Sequence, residues 1–110
     1  MWRWSWTGCA DVPSYRVRAF VGALRPGTAA PDLLPSAVAF ARETVTVESS
    51  DVDVVRGRAR VTVRFQADDD ATARRAGWAV LHHLDERAEI DGRSVTRRFG
   101  ARWYPVQTRA

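Results

Sequence analysis

Arginine is the residue type in this chain with the most potential for chemistry, because it supplies all 17 basic residues and lysine is absent. In the stretch VRGRARVTVRF, residues 55–65, arginines alternate with Val61, Val63 and Phe65. A two-residue period is typical of a β-strand with one buried face, so the arginines would share the other face. Guanidinium groups bind phosphate and carboxylate through paired hydrogen bonds. The pattern therefore predicts a surface for an anionic partner, although heavy use of arginine is also typical of a GC-rich coding sequence.

Two histidines form a second candidate for chemistry. His82 and Glu86 are four residues apart, which places them on one helical face, where a metal ion or an acid–base pair could form. Adjacent side chains point about 100° apart on a helix, so His82 and His83 do not readily converge on one ligand. We predict that both are helix-surface residues, with no cofactor and no metal, and keep a small-molecule enzyme as a third interpretation of function.

A tryptophan-rich segment opens the chain. The letters WRWSW place Trp2, Trp4 and Trp6 on one side of an extended segment. These rings could stack on bases, enter a membrane interface or bind a partner. Alternatively, the segment is a spare edge strand, or an upstream start translated through non-coding sequence. We predict that residues 1–13 are an appendage, ended by Pro13.

Length and composition limit the remaining possibilities. A chain of 110 residues with a formal charge of +4 is long enough for one domain, which we place at 14–106, followed by a tail at 107–110. The single cysteine, Cys9, excludes an internal disulfide. This cysteine usage makes the cytoplasm the expected compartment. No apolar run approaches the roughly 18 to 20 residues that span a membrane, so we expect no membrane partner.

Apolar spacing predicts two helices. After the breaker-rich residues 25–36, which we interpret as a loop with Pro35 at an early helical position, an apolar stripe recurs at helical spacing with Phe40 on its flank. Asp68 to Asp70 provide an N-cap and first-turn negative charge for a second helix. The first stripe consists of Leu34, Ala37, Val38 and Ala41, and the second of Ala73, Ala76, Gly77, Val80, Leu81 and Leu84.

Alternating segments predict four strands. They lie at 15–24, at 44–55, after a two-residue Arg56-Gly57 hairpin turn, and after the letters IDG at 90–92. A bulge at Ser49-Ser50 would return both halves of the second strand to one buried face. The turn sets Val54 opposite Ala59, Val52 opposite Val61, Asp53 opposite Arg60 and Asp51 opposite Thr62. The last strand would carry Val95, Phe99, Ala101 and Trp103 in alternation with arginines.

The order strand, helix, strand, strand, helix, strand predicts an α+β fold, the ferredoxin-like βαββαβ plait. Such a plait has a four-stranded antiparallel sheet with two helices on one face. The other face stays open, and the predicted pairing of Asp53 with Arg60 neutralises part of its charge. Residue parity assigns to this open face Arg16, Arg18, Phe20, Arg58, Arg60, Thr62, Arg64, Arg98 and Arg102.

Three short motifs resemble those of the RNA recognition motif family. AFVGAL at 19–24 is similar to its first signature strand, RGRARV at 56–61 to the start of its second, and IDGRSV at 90–95 to the lead into its last strand. The resemblance implies the plait and single-stranded RNA bound on the open sheet. It departs from the family where Arg58 and Arg60 replace two stacking aromatic residues, which leaves Phe20 as the third.

The sequence thus predicts a small non-catalytic binding module whose open sheet face contacts single-stranded RNA or an acidic protein. A homodimer that uses the same face, with no nucleic-acid role, is the competing interpretation. An aromatic ring beside arginines can stack on a base, which favours RNA. A charged sheet face can equally be a solvated surface.

Overall fold

The chain folds as a mixed α+β structure with two helices and one antiparallel sheet. The structure is a computed structural model and describes residues 12–106. The α+β class predicted from sequence is confirmed, but the sheet has five strands, one more than predicted. In chain order the elements are β1 (Ser14–Leu24), α1 (Ala30–Arg42), β2 (Thr46–Val55), β3 (Arg58–Gln66), α2 (Asp70–Asp85), β4 (Ala88–Phe99) and β5 (Arg102–Pro105).

The sheet has the strand order β2-β3-β1-β4-β5, so β1 lies at its centre. Arg16 pairs with Arg64 of β3 on one side and with Thr96 of β4 on the other. Residues that pair directly across antiparallel strands point to the same face of the sheet. The register therefore determines which side chains can meet.

One face of the sheet and both helices enclose a single core. Tyr15, Val63, Phe65 and Leu81 are completely buried, and the rings of Tyr15 and Phe65 stack at 5.8 Å between centres. Burial of this much apolar surface is the main favourable contribution to folding. In the described part of the chain, no polar or charged residue belongs to the buried set.

Helix α2 matches its prediction. The six residues of the predicted stripe are its buried residues, because they recur at helical spacing toward the sheet. Asp69 is the N-cap, and its carboxylate accepts a hydrogen bond from the Thr72 N–H at 2.8 Å. Gly77 lets the helix approach β4, since a Cβ there would lie 2.7 Å from Cγ2 of Val95.

Helix α1 begins at Ala30, earlier than predicted. The breaker-rich stretch is helical from that residue onward, because Pro31 occupies the first turn, where a missing N–H costs nothing. Pro35 therefore lies inside the helix. The buried residues are Leu33, Ala37, Val38 and Ala41, so Leu33 takes the buried position that the sequence assigned to Leu34.

The β2–β3 hairpin has the predicted register. Val52 pairs with Val61 and Asp53 with Arg60, and the turn at Arg56-Gly57 has positive φ at both residues. The register shift falls between Val47 and Ser49, so the bulged residue is Glu48, slightly before the predicted Ser49-Ser50. As predicted, a bulge returns both halves of β2 to one face.

The C-terminal part of the sheet differs from the prediction. The chain reverses at Gly100, whose φ is +60°, so a short β5 pairs back along β4 where one continuous strand was expected. Strand β4 already begins at Ala88, and IDG lies within it, with Gly92 at a register shift. The predicted phase of the last residues is therefore wrong for Ala101, Arg102 and Trp103.

Two predictions concern segments at the ends of the chain. The appendage at 1–13, apart from Val12 and Pro13, lies outside the described residues, as does the tail at 107–110. Cys9 and the tryptophans of WRWSW belong to that undescribed segment. Within residues 12–106, no helix is long and apolar enough to cross a membrane.

Candidate functional site

The open face is the side of the sheet opposite the helices, and its centre lies on β1. Arg16, Arg18 and Phe20 alternate with buried Val17 and Ala19, so all three point away from the core. Their cross-strand partners on β3 and β4 share that face. On β3 these are Arg64, Thr62 and Arg60, and on β4 they are Thr96, Ser94 and Asp91.

Arg16 and Arg18, which we call the central pair, have no carboxylate within ion-pair distance among the described residues. Arg18 donates from Nε to the Thr62 hydroxyl at 3.2 Å, and Arg16 has a buried Nε with no hydrogen-bond partner. Partial burial, followed by repulsion from neighbouring arginines, lowers the pKa of both guanidinium groups. Both nevertheless remain charged at neutral pH. The central pair is therefore a concentration of positive charge with unused donors.

Trp103 lies beside the central pair, although its alternation with Arg102 predicted the opposite face of the sheet. It pairs with Arg98 across β4 and β5, which puts its indole on the open face. The guanidinium carbon of Arg16 lies 4.4 Å from the ring centre, and that of Arg64 lies 5.3 Å away. Both distances are within the range of cation–π attraction.

Three other arginines of the open face are already neutralised. Their partners, Glu48, Asp53 and Asp91, form what we call the acidic border. Arg60 donates two hydrogen bonds to Asp53, and Arg58 donates two to Asp91. Arg64 donates one hydrogen bond to Glu48, and all five distances fall between 2.6 and 3.0 Å.

Two carboxyl groups of the acidic border, Asp53 and Glu48, have lowered pKa values. The hydrogen bond from Arg60 is the largest factor that lowers the pKa of Asp53. Burial alone would raise the pKa of Glu48, but hydrogen bonds from Gln66, Ser14 and Arg64 outweigh it, and the net shift is downward. Charge-assisted hydrogen bonds of this kind favour the anion.

Phe20 occupies the other end of the open face. The guanidinium carbon of Arg58 lies 4.8 Å from its ring centre, and the backbone at Gly92 lies against the ring edge. A Cβ at position 92 would come within 2.7 Å of the ring, and φ there is +59°, so glycine suits both the contact and the conformation. One face of the ring is thus covered by Arg58, which Asp91 holds in place.

Arg98 and Arg102 do not share a face, contrary to the sequence prediction. Arg98 pairs with Trp103 on the open face and donates from Nε to the Gly100 carbonyl at 2.7 Å. Arg102 pairs with Phe99, which contacts Arg97 on the helix side of the sheet. The reversal at Gly100 changes the parity of the residues that follow, so Arg102 does not belong to the open face.

The histidines point in different directions, as predicted, but only His82 is a helix-surface residue, because His83 is partly buried between the two helices. His82 lies 3.4 Å from Glu86 on an exposed helix surface. His83 bonds through Nε2 to the Ser36 hydroxyl at 2.6 Å and stacks on Phe40, which joins the two helices. Partial burial, followed by repulsion from Arg87, lowers the pKa of His83.

The described residues contain no group of three or more histidine, cysteine or acidic side chains that could hold a metal ion. Compared with protein-family models, with curated proteins and with solved structures, the chain has no match. The likeness to the RNA recognition motif therefore stays a prediction from short motifs.

Proposed function

We propose that this domain is a non-catalytic binding module that holds single-stranded RNA on the open face of its sheet. The observation that carries the proposal is the central pair. Arg16 and Arg18 lack carboxylate partners in the described structure, while Arg58, Arg60 and Arg64 on the same face are neutralised. Phosphates would bind to the central pair, and bases would stack on the aromatic rings at either end, Trp103 and Phe20.

We further propose that the fold is a ferredoxin-like plait of the RNA recognition motif type, extended by one strand. The order β2-β3-β1-β4, with a helix after β1 and another after β3, supports this assignment. Strand β5 would be an addition at the β4 edge that supplies Trp103. In this proposal Trp103 replaces a stacking ring that is absent at Arg58 and Arg60.

A homodimer through the same face is the second candidate, and electrostatics disfavours it. A face-to-face dimer would bring two copies of Arg16 and Arg18 together without carboxylates to offset them. The pKa of Arg16 is already lowered by partial burial and by repulsion within one copy. Like charges brought together at an interface cost several kilocalories per mole, whereas a polyanion would relieve the repulsion.

The test is the salt dependence of binding to a fluorescein-labelled oligouridine. Arg16→Gln and Arg18→Gln should each weaken binding and lower the slope of log affinity against log salt by about 0.7, because each removes one phosphate contact. Arg42→Gln is the matched control, since Arg42 is an exposed arginine at the end of α1, away from the open face. Its affinity and slope should equal those of the parent.

Trp103→Leu distinguishes the contribution of base stacking to oligouridine binding from that of phosphate contacts. Loss of the indole should cost roughly 1 to 3 kcal/mol of binding without changing the salt slope. If the parent protein fails to bind oligouridine even at low salt, the RNA proposal is wrong. If Arg16→Gln instead lowers the molecular mass in solution from dimer to monomer, the homodimer takes its place.

A further inference from the structure

The free edge of β2 is a surface that the proposed function does not use. Strand β2 is ten residues long, pairs only with β3 in the described structure, and contains no proline. The opposite edge, β5, is four residues long and ends at Pro105, which cannot donate a backbone hydrogen bond. Long edge strands without such protection are templates for the addition of another strand.

Apolar side chains along this edge are unusually exposed. Val52 and Val54 point to the helix side of the sheet, where they pair with Val61 and Ala59, yet they are 48% and 72% exposed. Helix α1 leaves this corner of the sheet uncovered. Exposed valines on a strand that could be paired indicate a site for a partner strand.

A cavity adjoins these valines. It has a volume of about 270 Å³ and lies between the start of α1 and the sheet. Its walls are aliphatic side chains and one glycine, including Val21, Leu33, Leu34, Val52 and Val61. A bulky apolar side chain from an added strand could enter it from the side of Val52.

The charge of this edge is opposite to that of the chain. Strand β2 carries Glu48, Asp51 and Asp53 and no arginine, on a chain with 17 arginines and a formal charge of +4. Arg60 and Arg64 bind Asp53 and Glu48, whereas the Asp51 side chain has no hydrogen bond or ion pair among the described residues. The side of β2 that faces away from the valines therefore favours basic partners.

We propose that the β2 edge binds an extended segment of a partner protein in which apolar and basic residues alternate. The segment would add a strand to the sheet. Its main chain would pair with β2, and its apolar residues would cover Val52 and Val54 and fill the cavity. Its basic residues would face Asp51, the carboxylate of β2 that no arginine of the described structure binds. This is strand addition, in which backbone hydrogen bonds supply affinity and alternate side chains supply specificity.

The test uses a capped, fluorescein-labelled octapeptide of alternating valine and arginine with the full chain. It should bind, and hydrogen exchange of the β2 amides should slow. Val54→Lys and Asp51→Lys should each weaken binding about tenfold or more, which corresponds to the loss of one good contact. Both positions are exposed, so both variants should keep the circular dichroism spectrum of the parent.

Two controls make the result specific. A peptide with four valines followed by four arginines has the same composition without alternation and should bind at least tenfold more weakly. Tyr104→Lys adds a positive charge at the β5 edge and should bind the alternating peptide like the parent. Oligouridine binding should survive Val54→Lys, so failure of one proposal is distinguishable from failure of the other.

Three outcomes would overturn the inference. Equal binding of both peptides by every variant would indicate simple charge attraction. Binding that appears after deletion of residues 1–11, and not before, would make that segment of the chain the occupant. Self-association that Val54→Lys abolishes, with no peptide binding, would assign the edge to a second copy.

Discussion

At the scale of single residues, the arginines of the open face differ in what their guanidinium groups contact. Arg58, Arg60 and Arg64 each bond to a carboxylate, whereas the central pair does not. Partly exposed ion pairs of this kind contribute about 0 to 1 kcal/mol to stability, so they matter little for folding. The number of available cations is therefore smaller than the composition suggests.

Asp53→Asn should tighten the binding of oligouridine and steepen the salt slope by about 0.7, because it releases Arg60 to contact a phosphate. Fluorescence anisotropy at several salt concentrations would measure both quantities. Asp51→Asn removes the same charge from the same strand without releasing a bonded arginine, and should leave the slope nearly unchanged. Equal slopes for the parent and Asp53→Asn would mean that Arg60 does not contact the ligand.

Tyr15→Phe should lower the free energy of unfolding by about 1 to 2 kcal/mol, because the Tyr15 hydroxyl donates a 2.6 Å hydrogen bond to Asp70 from a buried position. Burial, followed by this bond, raises the pKa of Tyr15 above its ordinary range. The same bond is the largest factor that lowers the pKa of Asp70. Urea unfolding at pH 7 would measure the loss.

The pH dependence of the same variant tests the cause. A carboxyl group whose pKa is lowered by folding stabilises the protein above its unfolded pKa of about 3.9 and loses that contribution as pH falls through the folded value. Between about pH 5 and pH 3, the parent should therefore lose more stability than Tyr15→Phe. Parallel curves would indicate that the hydroxyl does not perturb Asp70.

Sequence reasoning predicted some contacts of the open face and missed others. Asp53 and Arg60 were predictable because a two-residue turn fixes their register. The pairs Glu48–Arg64 and Asp91–Arg58 were not, because one depends on the bulge and the other joins residues 33 positions apart. Trp103 was missed because its face depends on a reversal at Gly100, and the glycine was the one available signal.

At the scale of secondary-structure elements, α2 packs tightly on β4 at Gly77. Gly77→Ala should destabilise the fold by about 1 to 2 kcal/mol. Overpacking against Val95 costs about 1 to 3 kcal/mol, and the higher helix propensity of alanine offsets up to about 1 kcal/mol of that cost. Chemical denaturation at constant pH would measure the difference.

A double-mutant cycle with Val95→Ala is the control for this prediction. Shortening Val95 removes the atoms that the new methyl group would meet, so Gly77→Ala should cost less in that background. Additive effects of the two substitutions would show that the helix can shift away from the strand at no cost.

The elements differ in how well local sequence predicts them. The buried residues of helix α2 were all predicted, because the apolar stripe and the aspartate N-cap both indicate the same helix. The start of α1 was not, because prolines suit both a loop and a first helical turn. Strand β5 was hidden because a single glycine separates it from β4, and alternation continues on both sides.

At the scale of the whole molecule, adjacent residues of a strand tolerate different substitutions, because one faces the buried core and the next lies on the open face. Val61→Asp should abolish folding, because Val61 is 2% exposed and a buried unpaired charge is not tolerated. Thr62→Asp should remain folded, because Thr62 is half-buried on the open face beside Arg18, and it should weaken RNA binding. Circular dichroism and oligouridine binding would distinguish the pair, and two folded variants would contradict the assigned strand phase.

Because of the acidic border, anion binding to the open face should depend on pH. A phosphate that takes Arg60 or Arg64 leaves a carboxylate behind, and that carboxylate becomes a better proton acceptor once its arginine has gone. The hydrogen bonds keep the pKa values of Asp53 and Glu48 below the ordinary range. Once these bonds are lost, the ordinary carboxyl pKa of about 4 is still too low for a proton to be taken up at neutral pH. In acid, ligand and protons would bind together, and the outer arginines would join the central pair, so the same surface would hold a longer stretch of polyanion.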